Sequence, residues 1–269
     1  MATEKQTVKL YNNKITLHFN PDSRNRYTIE ETGKSPVGVT TILNSLAKPG
    51  LALWPMYEAL KYIRTKAERW ERVSDPKEFD YTVTEELLLE AEKAHTLRSD
   101  KGKDIGSIVH EAIEKFLGEE SVDIPANEAG KAFRVFVKWF SDNKPKVLLA
   151  EQIGYSKEHD YAGTCDLVCE IDGKTVIVDV KTSNVSRTAP LGIYTENFLQ
   201  LGAYSLMLRE MGFAKPDDLM VINAGKDGKL NTLSASELGL KVDYCEDSFL
   251  AVLGAYRFIT PLSKQVKEM

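Results

Sequence analysis

The spacing of apolar and polar positions changes near the middle of the chain. Residues 8 to 30 alternate weakly, with Val8 and Leu10, then Ile15, Leu17 and Phe19, then Tyr27 and Ile29 separated by Asn12-Asn13 and Pro21-Asp22. This predicts short strands or hairpins. From Thr40 to about Arg72 the spacing turns helical: Ile42, Leu43 and Leu46 mark one helix ending at Lys48-Pro49-Gly50, and Trp54, Tyr57, Leu60, Tyr62, Ile63 and Trp70 mark a second. A loop at Ser74-Asp75-Pro76 follows. Residues 84–98 predict a third helix with Thr84 as its N-cap and acidic residues in its first turn, and residues 104–117 and 127–141 predict two more, separated by Gly118 to Pro125.

Beyond Lys144-Pro145 the period falls from about 3.6 to 2. Strands are expected at 147–155, 163–171 and 174–182, then a helix over 195–211, a strand from Leu219 to Asn223, a turn at Asp227-Gly228 and a last amphipathic helix over 246–260. A helix-rich first half followed by a mixed strand and helix core gives an α/β or α+β fold. The 269 residues, 42% hydrophobic, suffice for a core without external staples.

The hairpin over 165–181 carries the chemistry. Asp172-Gly173 between two apolar runs is a strong signal for a two-residue type I′ turn, and that turn fixes the register. Residue 171 then faces 174, 169 faces 176, and Asp166 faces Asp179, with Cβ atoms about 5 Å apart. Lys181 shares the face of Asp179, while Val176, Val178 and Val180 join Cys165, Leu167, Cys169 and Ile171 on the other, which is expected to be the core. Facing carboxylates repel unless a cation lies between them, and a divalent ion is the economical one. Mg²⁺ or Mn²⁺ suits oxygen ligands and keeps waters, one of which can serve as nucleophile. Lys181 would position or deprotonate that water, or neutralise developing charge; the residues alone do not choose.

Charge and cysteines narrow the setting. A net charge of −5 argues against a uniformly basic coat for nucleic acid, so any such contact must be local. Three cysteines, Cys165, Cys169 and Cys245, cannot close a disulfide set and read as buried thiols of a reducing compartment. No stretch approaches the roughly 18 apolar residues of a membrane span and no apolar signal core stands near Met1, so a cytoplasmic protein is expected.

Asp166 followed by Asp179, Val180 and Lys181 resembles the signature of the PD-(D/E)XK nuclease superfamily. Gly106, His110 and Glu114 resemble the Gly-x-x-x-His-x-x-x-Glu helix of its RecB-like branch, and Gln200 with Tyr204 resembles that branch's Gln-x-x-x-Tyr helix. These elements stand in order over about residues 102–212. Val39 to Leu43 and the Trp54 helix look similar to the N-terminal region of some phage and mitochondrial genome-maintenance exonucleases. Cys165 stands where the superfamily signature has proline.

The resemblance implies a restriction-endonuclease-like core over 101–269, a mixed sheet flanked by helices, with residues 1–100 forming strands and a helical substrate-covering region. It implies His110, Asp166, Asp179 and the Val180 carbonyl as ligands of Mg²⁺ or Mn²⁺, with Asp166, Asp179 and Lys181 catalytic. Glu114 would orient His110 or stay near the metal; Glu151, Ser183, Gln200 and Tyr204 would line the site or meet phosphate. Without four bracketing cysteines, the iron–sulfur cluster of some relatives is not expected. The implied activity is metal-dependent DNA hydrolysis by an exonuclease on single strands or duplex ends in replication, recombination or repair, with an oligomer or partner protein possible in such a role. The alternatives are a structure-specific endonuclease and a catalytically silent nucleic-acid-binding module. Lys61, Arg64, Lys66, Arg69 and Arg72, interleaved with Tyr62 and Trp70, together with Lys101 and Lys103, would serve strand binding.

Overall fold

The computed structural model describes residues 5–23, 25–46, 52–71, 79–185 and 190–268. The expected helix end at Lys48-Pro49-Gly50, the loop at Ser74-Asp75-Pro76 and Arg72 lie outside the described residues. Two compact units appear, Met1–Leu46 with Ile108–Met269, and Ala47–Ser107. The first hairpins thus group with the C-terminal part of the chain, whereas the sequence division at residue 100 sets them with the helices.

The larger unit opens with an antiparallel meander of β1 (Gln6–Leu10), β2 (Ile15–Phe19) and β3 (Tyr27–Ile29). Its apolar side, Leu10, Leu17, Tyr27 and Ile29, buries against Ile153, Tyr155 and Ala162. A two-residue strand β4 (Val37–Gly38) and a short helix α1 (Val39–Leu43) follow. The smaller unit holds helix α2 (Trp54–Lys66), the hairpin β5 (Glu68–Glu71) and β6 (Phe79–Thr82), and the first part of helix α3 (Glu85–Leu117). Within it α2 and α3 are tied by a forked Arg98–Glu58 ion pair at 2.6 and 2.8 Å and by Tyr62 donating to Glu90 at 3.0 Å.

Two helical expectations are corrected here. Trp70 and Arg69 belong to β5, because the helix stops at Lys66 and the chain pairs with β6. The two helices expected at 84–98 and 104–117 are one, α3, with Thr84 Oγ1 accepting from the Leu87 N–H at its start. Gly102 costs about 1 kcal/mol relative to alanine inside a helix, too little to end it when both flanks are helical. Lys101 and Lys103 therefore sit within α3 rather than at its start.

The main sheet contains β7 (Lys146–Ser156), β8 (Tyr161–Ile171), β9 (Lys174–Lys181), β10 (Asp218–Ala224), β11 (Leu230–Ser234) and β4, in order β11-β10-β9-β8-β4 with β7 on the other edge of β8. β9 and β10 are parallel; the β7, β8, β9 run and the β10, β11 pair are antiparallel. β11 is an addition to the expected strands. Asp172 and Gly173 have φ of 50° and 75°, as a type I′ turn requires, and 171 pairs with 174 and 169 with 176, as expected.

The hairpin does not have one core face and one open face. Leu167, Val176, Val178 and Val180 are buried, but so are Val168, Ile177 and Asp179 on the other side. Helix α5 (Thr195–Glu210) covers that second side: Leu201, Ala203 and Tyr204 join Val168, Ile177, Leu219 and Val221 in the largest core cluster. Helix α4 (Glu128–Asn143), N-capped by Asn127, packs on β10 and β11, and α6 (Val242–Glu268) packs on α5. With helices on a mixed sheet, the fold is the α/β arrangement expected. Cys165, Cys169 and Cys245 are buried free thiols. Among the described residues no helix is long and apolar enough to cross a membrane.

Candidate active site

The site lies where β9 leaves β8. β8 pairs with β9 only from Leu167 to Ile171, and with β4 at Tyr161 and Ala162 on the same edge. Between those stretches the edge of β8 is open over 163–166. At this fork the Val180 N–H turns to the side chain of Asp166 and donates to its Oδ2 at 2.8 Å, while β9 continues along β10.

Three strands each bring one carboxylate to the fork. Glu151 on β7 stands opposite Asp166, since Ala150 pairs with Leu167 and Gln152 with Cys165. Asp179 stands one step past the last β8–β9 pair. Glu151 has φ of 45°, a left-handed backbone costing a non-glycine residue about 1 kcal/mol or more. A register slip between Val147 and Leu149 precedes it. The strained turn and slip aim its carboxylate at the fork: Oε1 lies 3.5 Å from His110 Nδ1, and Asp166 Oδ1 lies 3.9 Å from the same nitrogen.

His110 reaches the fork from α3. Its Nε2–H donates to the Val180 carbonyl at 3.0 Å. With carboxylates at Nδ1 and a carbonyl at Nε2, the ring is held as a cation. Burial lowers its proton affinity, but Asp166 and Glu151 outweigh that and hold it at about 9. Glu114 is exposed, so the groups that orient the ring are Glu151, Asp166 and Val180.

Asp179 is fully buried. Burial raises its carboxyl to about 6; Lys181 opposes that and Asp166 adds to it. Asp166 is raised too, by burial against the pull of His110. Lys181 Nζ donates to Asp179 Oδ1 at 2.7 Å and to Gln200 Oε1 at 3.2 Å, and Gln200 Nε2 donates to the Tyr204 hydroxyl at 2.7 Å. Burial lowers the Lys181 ammonium, but Asp179 and Asp166 more than compensate and keep it charged. The Tyr204 phenol is pushed well above its ordinary value by burial, then by Asp166 and Asp179, and stays neutral.

The structure thus brings together His110, Glu151, Asp166, Asp179, Val180, Lys181, Gln200 and Tyr204. Ser183 follows Lys181, with its carbonyl accepting from Asn223 Nδ2 at 3.1 Å. Two contributors escaped the sequence reading. Gly163 lets Tyr204 in: a Cβ there would lie 2.7 Å from the Tyr204 ring. Asn223 stands beside Lys181 in the β9–β10 ladder. Its signal was a lone amide in the apolar run from Leu219 to Ala224.

These residues fit a divalent cation. Among buried side-chain oxygens and nitrogens of the described residues, Asp179 Oδ2 is one of two with no hydrogen-bond partner. A buried carboxylate oxygen left bare is costly, and a cation is its natural complement. His110, Glu151 and Asp166 offer ligand atoms within 4.8 Å of one another. His110 Nε2 and the Val180 oxygen are 3.0 Å apart, and neighbouring ligands of an octahedral cation bound at about 2.1 Å are also about 3 Å apart.

Comparison with known families gives a match over residues 127–234, the stretch holding β7 to β11 and α5 and so every site residue but His110. No curated protein matches the chain. The forked hairpin with its acidic row and lysine, and the family match across it, lead to one assignment: residues 127–234 of this chain are a domain of the PD-(D/E)XK nuclease superfamily.

Proposed function

We propose that the protein is a metal-dependent deoxyribonuclease of the RecB-like branch, acting as an exonuclease on single-stranded or end-containing DNA. The observation that carries the metal-dependent reading is the bare, buried Asp179 Oδ2 in a row of three carboxylates closed by Lys181. His110, Asp166, Asp179 and the Val180 carbonyl would hold Mg²⁺ or Mn²⁺, with Glu151 adjacent. When bound, the cation supplies a Lewis acid toward the phosphate and a water of lowered pKa.

The chain's own groups do the rest. Lys181, held between Asp179 and Gln200, presents its ammonium to the attacking water or to charge developing on the phosphate. Gln200 and Tyr204 fix that ammonium from α5, and Glu151 and Asp166 fix the His110 ring. Lys61, Tyr62, Arg64 and Lys66 of α2 are the side chains suited to holding a strand in this reading. The His110 helix and the Gln200 to Tyr204 turn of α5 support the exonuclease branch over a structure-specific endonuclease.

The test is digestion of 5′-labelled and 3′-labelled linear DNA, single-stranded and duplex, beside covalently closed circles, with Mg²⁺, Mn²⁺ or EDTA. Loss of linear DNA with circles intact is expected and gives the polarity. Cut circles would make the protein an endonuclease, and no cleavage with any metal would overturn the nuclease reading.

A further inference from the structure

We infer that Asn223 is a positioning residue of this site, whose side-chain amide pins both ends of the segment following Lys181 and so sets how that segment meets the DNA backbone. The inference rests on the nuclease reading above for what the segment does, though not for whether it is pinned.

Asn223 is fully buried and pairs with Lys181 in the parallel β9–β10 ladder, so the two side chains leave the sheet on the same face. Its Nδ2 donates to two carbonyls, Ser183 at 3.1 Å and Leu191 at 2.9 Å. Two acceptors on one side fix which end of the amide is nitrogen. Ser183 and Leu191, eight residues apart in sequence, therefore meet on one donor group. Its Oδ1 is the other buried polar atom without a hydrogen-bond partner.

An amide with one half bare costs stability that a buried apolar residue would not. Its donor half is what the site keeps. Gly192 supports the same conclusion: its φ is +66°, and a Cβ there would lie 2.1 Å from Asn223 Nδ2 and 3.2 Å from the Ser183 carbonyl. The backbone has been brought against the amide at a position that only glycine fills without strain. The clamp begins two residues after Lys181, so it governs the chain leaving the catalytic strand and not the metal ligands or the lysine itself.

The test compares wild type with Asn223→Ala, Asn223→Asp and Gly192→Ala in the full chain. Backbone hydrogen exchange in peptides covering 182–185 and 191–193 should quicken at least about tenfold in each variant, the loss of one or two net hydrogen bonds, with peptides from 174–181 and 195–210 unchanged. On a labelled single strand with Mg²⁺, KM should rise about tenfold with kcat within about twofold, the signature of lost binding rather than lost chemistry. Unchanged exchange at 182–193 in Gly192→Ala and either Asn223 variant overturns the clamp. A fall in kcat at constant KM overturns its assignment to substrate positioning. A wild type that cuts no DNA removes the nuclease reading, and the exchange data still decide whether the segment is pinned.

Discussion

Replacing Asp179 with asparagine should stabilise the metal-free protein while destroying its activity. The Asp179 carboxylate is fully buried, Lys181 takes one of its oxygens, and the other has no partner. Its carboxyl rises from an ordinary 3.8 to about 6, burial being the largest cause. The gap is worth about 3 kcal/mol, by which the ionised group weakens the fold above pH 6. The sign follows from the direction of the shift. Between 3.8 and about 6 the folded state binds more protons than the unfolded one, so this group's contribution falls as pH rises through that window. Asparagine removes the cost, and part of the gain is returned because Lys181 loses its 2.7 Å partner. A net gain of about 1–3 kcal/mol in EDTA at pH 8 should raise Tm by about 2–5 °C for a chain of 269 residues. Thermal unfolding from pH 4 to 8 in EDTA, then with Mg²⁺, is the assay. The two proteins should converge near pH 4, the variant should melt higher at pH 8, and only wild type should be stabilised by Mg²⁺. An Asp179→Asn protein that melts lower than wild type at pH 8 in EDTA would refute the reasoning, because the carboxylate would then be a structural asset rather than a waiting ligand.

Lys181→Ala should lower kcat by about 10²–10³-fold while leaving Mg²⁺ binding by calorimetry within a few-fold, since the lysine contacts Asp179 but is not a ligand. Because His110 is held at about 9 and Asp179 at about 6, a cation must displace protons from both; its affinity should climb from pH 6 to 9, with proton release visible as a buffer-dependent binding enthalpy. Glu151→Gln should weaken metal binding about tenfold by loosening His110, and a calorimetric affinity equal to wild type would remove Glu151 from that role. Gly202→Ala should destabilise by about 2 kcal/mol or more in denaturant unfolding, because its Cβ would lie 2.4 Å from the Cys245 carbonyl oxygen of α6, a backbone atom that cannot step aside.

Much of this site was legible because a two-residue turn fixes everything downstream of it. Asp172-Gly173 set the register, and the register set Asp166 against Asp179 with Lys181 two residues on. The spacing of His110 and of Gln200 with Tyr204 depended only on helical repeat. What was not legible depended on tertiary packing. Periodicity cannot tell that the Asp179 face lies under α5, since Asp179 and Lys181 are polar where Ile177 and Val221 are not. It could not show that α3 runs unbroken through Gly102, because a helix held at both flanks tolerates one glycine. Trp70 fits a helical stripe, yet its backbone pairs with Asp80 across a hairpin. Glu151 owes its aim to a slipped register and a left-handed backbone that no local sequence signal announces. Asn223 stood in plain sight in an apolar strand, but its partners are carbonyls 32 and 40 residues away.

The most direct measurement is the time course of a 5′-labelled single-stranded DNA with wild type, Asp179→Asn and Lys181→Ala, each in Mg²⁺ and in EDTA. The account predicts cleavage by wild type in Mg²⁺, none in EDTA and a rate reduced by at least about a hundredfold in both variants. Cleavage that persists in EDTA, or that survives loss of Asp179, would contradict it.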